Sequence, residues 1–135
     1  MRRTMAAALG VAFLCTACGS RLSQDPVQAK AREHGIEILG VQLMADGDVA
    51  RLNYRVVDYA AAKRSLREDV RLLCEGADRP LPVMSTGRLG PLKQRPTRDG
   101  RPQFMMFTNP GRALRKGDHA VLTIGGARIE GIPVS

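Results

Sequence analysis

The sequence predicts an all-β domain, an immunoglobulin-like two-sheet β-sandwich of about seven strands with one short helix. From residue 35 onward, short runs of apolar and polar residues alternate between turns that contain glycine or proline. Only one segment of this region has helical spacing, and no strand–helix–strand repeat occurs. Residues 35–135 are enough for one domain and too few for two.

The first two strands are predicted at 36–44 and 49–57. In "VARLNYRVV" one face carries Ala50, Leu52, Tyr54 and Val56, and the other carries Arg51, Asn53 and Arg55. The preceding run, "GIEILGVQLM", changes phase at Gly40, which predicts a β-bulge. The Asp-Gly pair in "ADGD" predicts the turn between the two strands because both residue types tolerate a positive φ.

The single predicted helix begins after Asp58, a good N-cap, and places Tyr59, Ala62 and Leu66 on one side. "VRLLCEG" then predicts a strand, and "LPVM" predicts a short extended run at an edge. "PQFMMF" is apolar on both faces and predicts a central strand, while "HAVLTI" and "ARIEGIPV" predict a closing hairpin. The core is expected to consist of aliphatic residues together with Tyr54, Phe104 and Phe107.

The N-terminus has the organisation of a signal peptide. Arg2 and Arg3 precede a mostly apolar, uncharged run over residues 5–17, which is too short to span a bilayer as a helix. Cys15 and Cys18 form a CxxC spacing, but a thioredoxin-type pair needs a strand before it and a helix after it. Neither pattern is present, so we predict that residues 1–17 are a signal peptide cut before Cys18.

Two cleavage reactions fit this site. Small residues before the cut suit ordinary signal peptidase. The run 14–18, "LCTAC", also resembles a bacterial lipobox, in which Cys18 becomes the lipidated first residue, although Cys15 stands where leucine is usual. We favour lipidation, and Gly19 resembles the signals of outer-membrane lipoproteins. The predicted organisation is therefore a signal peptide (1–17), a flexible tether (18–34) and a β-sandwich domain (35–135), exported to the periplasmic face of the envelope.

The charge of the mature chain favours an anionic partner. Removing residues 1–17 leaves 19 basic and 13 acidic residues, a net charge of +6. Two tyrosines and three phenylalanines are the only aromatic residues, and together with export this argues against nucleic acid as a partner. Lipid headgroups, cell-wall polymers or an acidic protein surface fit better.

The segment 85–101, "STGRLGPLKQRPTRDGR", is the longest stretch without a strand or helix pattern, and we call it the basic segment. Long loops in compact domains are uncommon and often bind a ligand. Arginine outnumbers lysine, which favours bidentate contacts with phosphate or carboxylate groups. The segment contains only one acidic residue, Asp99. We predict that its five cations form an anion-binding site: Arg88, Lys93, Arg95, Arg98 and Arg101.

Catalytic and metal sites are weakly represented. His34, His119, Ser85 and Ser135 form no nucleophile–base pattern, and GxSxG does not occur, so we predict no enzyme and no cofactor. A copper-type site could in principle use soft sulfur and imidazole ligands from Cys74, Met84, Met105, Met106 and His119. Adjacent methionines point to opposite faces of a strand, however, and buried methionine or cysteine commonly fills a core. We therefore predict no metal ligand, and keep a metal-handling domain as the alternative function.

Residues 35–134 resemble a group of uncharacterised small exported bacterial proteins, predicted to be lipoproteins, with a β domain. The matching motifs are "GVQL", "LNYRVVDYAAA", "LPV", "GPLKQ", "FMMFTNPG" and "KGDHAVLTIG". The resemblance implies an exported β domain and carries no catalytic or binding residue. Together with the charge pattern, it leads us to expect a non-enzymatic, lipid-anchored envelope domain that binds a protein or an anionic surface.

Cys18→Ala should prevent acylation and move the protein out of the membrane fraction, because the mature domain offers no other apolar anchor. A single acyl chain binds a membrane only marginally, whereas the several chains of a bacterial lipoprotein hold it firmly. The intact mass of the mature protein checks the prediction. An N-terminal cysteine without acyl groups would contradict it.

Overall fold

The computed structural model describes residues 25–135, so the predicted signal peptide and Cys18 lie outside the described residues. Within residues 25–135 the chain forms two α-helices and eight strands in three small antiparallel sheets. In chain order they are α1 (Pro26–Glu33), β1 (Ile36–Met44), β2 (Val49–Val56), α2 (Tyr59–Ser65), β3 (Val70–Cys74), β4 (Ser85–Thr86), β5 (Gly90–Pro91), β6 (Pro102–Thr108), β7 (His119–Ile124) and β8 (Ala127–Pro133). A predominantly β fold is thereby confirmed.

The strands are divided between two three-stranded sheets and one small hairpin. The first sheet has the order β1-β2-β6, the second has the order β3-β7-β8, and β4 pairs with β5. Isolated pairings connect the two larger sheets: Val83 pairs with Phe107 of β6, and Leu81 pairs with Leu72 of β3. Buried side chains from both sheets belong to one hydrophobic core.

The predicted pattern of β1 and β2 agrees with the structure. The β2 side chains of Ala50, Leu52, Tyr54 and Val56 are buried, and Arg51, Asn53 and Arg55 are half-buried on the other face. The β1–β2 register shifts between Ile38 and Gly40, where Gly40 has φ +130°, so the predicted bulge is confirmed.

Phe104 is not in the core, contrary to the prediction for this residue. The register of β6 on β2 pairs Phe104 with Asn53, so Phe104 shares the outward face of the sheet. The guanidinium carbon of Arg51 lies 4.3 Å from the centroid of the Phe104 ring, which makes a cation–π contact. The inward residues of β6 are Gln103, Met105 and Phe107.

Helix α1 lies in the segment that the sequence predicts as a flexible tether. Asp25 caps it by accepting a hydrogen bond from the Val27 N–H, and Ala31 is fully buried in the core. The Gln28 side chain accepts from the Ile38 N–H at 2.9 Å and donates to the Ile38 carbonyl at 2.6 Å. Residues 26–33 are therefore packed on the domain, with Gln28 occupying the hydrogen-bonding edge of β1.

Helix α2 is fixed in place by Gly35. The Gly35 carbonyl accepts hydrogen bonds from the N–H groups of Val57 and Asp58, while Asp58 caps α2 through the Ala61 N–H, as predicted. Gly35 has φ +76°, and a Cβ at this position would lie 2.3 Å from the Asp58 carbonyl oxygen. Only glycine fits this close approach. Neither α1 nor α2, the helices of the described chain, is long and apolar enough to cross a membrane.

Leu52→Ala should lower the free energy of unfolding by about 2–5 kcal/mol, because it leaves a cavity beneath β2. Asn53→Ala, at the neighbouring position on the outer face, should change it by less than about 0.5 kcal/mol. Denaturant midpoints of the two variants check the assignment. A larger loss for Asn53→Ala than for Leu52→Ala would show that the strand faces are reversed.

Candidate anion-binding site

The basic segment is more ordered than its sequence predicts, because the chain is hydrogen-bonded to β6 on both sides of the β4–β5 hairpin. The Met84 N–H donates to the Met106 carbonyl at 2.9 Å, and the Met106 N–H donates to the Leu92 carbonyl at 3.0 Å. Farther along, Lys93 pairs with Met105. Between these contacts the chain forms the β4–β5 hairpin. The first part of the basic segment is therefore a hairpin whose base is hydrogen-bonded to the edge of β6.

Two buried side chains, those of Gln103 and Tyr54, form hydrogen bonds with the part of the basic segment that follows the β4–β5 hairpin. Gln103 is 5% exposed; its side chain donates to the Arg95 carbonyl and accepts from the Thr97 N–H at 3.1 Å. The buried Tyr54 hydroxyl donates to the Gln94 carbonyl at 3.1 Å. Burial raises the pKa of Tyr54 to about 12, so this hydroxyl keeps its proton at pH values where an exposed tyrosine ionises. Residues 94–97 are thus positioned by the interior of the domain.

A cleft of about 860 Å³ lies between α2 and the basic segment. Four cationic side chains line it: Lys63, Arg67, Lys93 and Arg95. Its apolar walls include Leu66, Leu89, Pro91 and Pro96. The described residues that line the cleft include no aspartate or glutamate, so its positive charge is not neutralised from within. A phosphate or carboxylate group placed there would meet several donors at once.

Tyr59 connects the two sides of the cleft. The Arg98 guanidinium carbon lies 4.1 Å from the centroid of the Tyr59 ring, and the Lys63 Nζ lies 5.9 Å from it. Both distances are within the range of cation–π attraction. Arg98 therefore holds the distal part of the basic segment against α2 and adds positive charge at the rim.

Lys93 is half-buried at the base of the cleft, where its Nζ donates to the Leu66 carbonyl at the end of α2. Burial lowers the pKa of Lys93, and the charge of Asp69 opposes this change only in part. The ammonium group is therefore held in a site that disfavours its charge. An anion bound next to it would favour the charged form.

The structure brings together some of the predicted site residues. Lys93 and Arg95 line the cleft, and Arg98 stacks on its wall. Arg88 lies in the turn between β4 and β5, while Arg101 is exposed and its Nε lies 3.8 Å from an oxygen of Asp99. The five cations thus do not form one cluster.

The α2 side of the cleft was not identified from the sequence. Tyr59 and Lys63 are four residues apart, which places them on neighbouring turns of one face of α2, and Arg67 follows four residues later in the turn after the helix. This four-residue spacing is the sequence signal that indicates the α2 side of the cleft.

The residues of the copper-type alternative lie in different parts of the fold. Met105 is buried in the core, and Met106 is on the outer face of the first sheet. Cys74 and His119 belong to the second sheet, where burial and then Asp118 raise the pKa of the Cys74 thiol. Residues 25–135 contain no group of three histidine, cysteine, aspartate or glutamate side chains placed to hold a metal ion.

The histidines and serines considered for catalysis are also separated. His34 Nδ1 lies 3.1 Å from Ser65 Oγ beside α2, whereas His119 Nδ1 lies 3.6 Å from a carboxylate oxygen of Glu75. Ser135 Oγ donates to the Val41 carbonyl at 3.4 Å, and Ser85 begins β4. Within the described chain these contacts form no nucleophile–base–acid arrangement.

A scan against protein-family models, a search of curated proteins and a search of solved structures each found no match to this chain. Function is therefore inferred from the chemistry of the cleft.

Lys93→Met should remove a rise of stability with pH in the alkaline range. The unfolded chain retains the lysine proton up to its ordinary pKa of 10.5, whereas the folded chain releases it earlier. Stability therefore increases with pH between these two pKa values. The difference in urea midpoints between the unsubstituted protein and the variant, followed with pH, checks this. The raised pKa values of Cys74 and Tyr54 have the opposite effect on stability, but they act in both proteins and cancel in the difference.

Lys63→Met is the matched control, since Lys63 is exposed on the same cleft. Identical pH slopes for the unsubstituted protein and the Lys93→Met variant would contradict the prediction.

Proposed function

We propose that this protein is a non-enzymatic, lipid-anchored domain of the cell envelope that binds anionic groups in the cleft between α2 and the basic segment. Export and acylation at Cys18 would hold the domain at the periplasmic face of a membrane, in the manner of an outer-membrane lipoprotein. The occupant of the cleft belongs to an anionic surface or to an envelope protein.

One observation carries the binding proposal: four cations from two separate elements converge on one cleft whose described lining contains no carboxylate. Isolated surface cations are usually balanced by nearby acids, as Arg71 is by Asp69 at 2.6 Å and Arg128 is by Glu130 at 2.7 Å. Concentrated charge of one sign in a recess increases the local potential and attracts counterions. Arginine adds planar, bidentate donors suited to phosphate and carboxylate groups.

We also propose that the domain is an immunoglobulin-like sandwich and that it is related to the group of small exported bacterial proteins whose motifs it resembles. An immunoglobulin-like sandwich, with the β1-β2-β6 sheet facing the β3-β7-β8 sheet, is consistent with a common core that includes Leu52 and Phe107 from one sheet and Leu122 and Ile132 from the other. Two sheets packed over one apolar layer have this distribution of buried residues. Such a scaffold places its loops at the ends of the sheets, where binding sites commonly form.

Titration with inorganic phosphate, followed by the NMR shifts of backbone amides, tests the proposal. The shifts should concentrate in residues 59–67 and 89–98, which border the cleft. Arg67→Gln combined with Arg95→Gln should weaken binding between about 2-fold and about 30-fold, from about 0.2–1 kcal/mol for each exposed contact. The loss should be smaller at high salt, where the Debye length falls to about 3 Å at 1 M.

Arg79→Gln combined with Arg115→Gln is the matched control, because it removes the same charge from two exposed positions outside the cleft lining. Equal losses of phosphate affinity in the two double variants would mean that binding depends only on the net charge of the protein. That result, or shifts spread over the whole surface, would refute a localised site.

A further inference from the structure

The turn of the β4–β5 hairpin carries the most exposed large apolar side chain of the described residues. Leu89 is 77% exposed, whereas Leu39 and Val57, the other two such residues in this part of the chain, are 43% and 49% exposed. Arg88 precedes Leu89 in the turn, and Leu89 also lines the cleft with Arg67 and Arg95. An apolar tip is thus placed directly beside concentrated positive charge.

The hairpin presents this tip in a defined position. Ser85 pairs with Pro91 and Thr86 with Gly90, and the Leu89 N–H donates to the Thr86 hydroxyl at 3.1 Å. The chain before and after the hairpin is hydrogen-bonded to β6. Leu89 therefore projects from a tip that is connected to the sheet on both sides. Because the fold already orders this tip, little further backbone entropy is lost when it binds.

We infer that the hairpin tip and the cleft dock together on an anionic lipid surface, with Leu89 entering the acyl-chain boundary and the cleft cations binding lipid phosphates. This inference rests on the proposed function of the cleft and names its occupant. Apolar side chains that enter the headgroup boundary beside lysine and arginine residues are the pattern of interfacial membrane binding. Each cation near an anionic surface adds attraction that decreases within a Debye length.

A lipid surface fits the tip better than an acidic protein does. The centre of a protein interface needs well-packed, fully desolvated apolar or aromatic anchors surrounded by a rim that excludes water. Here Leu89 is a single, highly exposed apolar side chain at a tip, and four of the nine other residues that line the cleft are cations. A bilayer boundary accepts a single apolar side chain without a complementary pocket.

The position of α1 keeps the cleft within reach of the membrane. Residues 19–25 separate Cys18 from α1, and seven residues span at most about 25 Å. Helix α1 has eight residues, about 12 Å, and ends beside α2, where His34 contacts Ser65. Acylation of Cys18 would therefore hold the cleft near the bilayer at a high effective concentration, so weak contacts suffice.

A tryptophan reporter at the tip tests the inference, because the chain contains no tryptophan. The full-length mature protein with Leu89→Trp is mixed with, or anchored in, vesicles of phosphatidylglycerol and phosphatidylcholine. Its emission should shift to the blue and be quenched by lipids brominated in the acyl chains. Vesicles of phosphatidylcholine alone should produce neither effect, and adding Arg67→Gln and Arg95→Gln should reduce both.

Leu39→Trp is the matched control, since Leu39 is also exposed but lies on β1. Equal quenching at positions 39 and 89, or none at position 89, overturns the inference. If inorganic phosphate still binds in the cleft while the reporter at position 89 stays in water, the proposed function stands and an acidic protein becomes the occupant. If phosphate fails to bind as well, both proposals fall.

Discussion

The cleft depends on the pairing of β6 along both of its edges. One edge of β6 pairs with β2 over seven residue pairs, and the other edge is hydrogen-bonded to Met84 and to residues 92–94, on the two sides of the β4–β5 hairpin. Backbone hydrogen bonds therefore convert a glycine- and proline-containing sequence into a hairpin with a fixed base. Gln103, which points into the domain from the same strand, also fixes the backbone of Arg95 and Thr97 through hydrogen bonds of its side chain.

The arrangement of charge in the cleft reduces the stability of the fold. Like charges on α2 and the basic segment repel each other, and the lowered pKa of Lys93 shows the cost of burying an ammonium group there. The Leu66 carbonyl and the Tyr59 ring offset part of this cost by contacting Lys93 and Arg98. Positions that conflict with stability in this way are often those that serve a ligand.

Local patterns allowed much of the fold to be predicted. The alternation of β2, the bulge at Gly40 and the cap at Asp58 each depend on residues close in sequence. The outward position of Phe104 could not be read in the same way, because it is set by the register of β6 on β2. "PQFMMF" is apolar on both faces, so either phase agreed with its composition.

The same distinction applies to the site. Composition located the basic segment, but the cleft also requires α2, which is brought opposite the segment by the contact of Gly35 with Asp58 and Ala62. The sequence indicates at most a helical turn in "AKARE" at 29–33, and the full helix α1 was not predicted because its stability comes from tertiary contacts, such as that of Gln28 with Ile38, more than from an apolar period of its own. Contacts between distant residues thus account for most of what the sequence left undetermined.

The Gln28 side chain also bears on how the chain avoids self-association. Its amide satisfies both backbone groups of Ile38, and near the other end of β1 the Ser135 backbone bonds with Val41 and Leu43. An exposed strand edge is a template for adding strands from other molecules, and with enough copies it leads to aggregation. A proteolytic cut between α1 and β1 would uncover the Ile36–Leu39 stretch, in which two of four residues are core isoleucines. The packing of the N-terminal helix therefore covers a strand edge that could otherwise pair with a strand of another molecule.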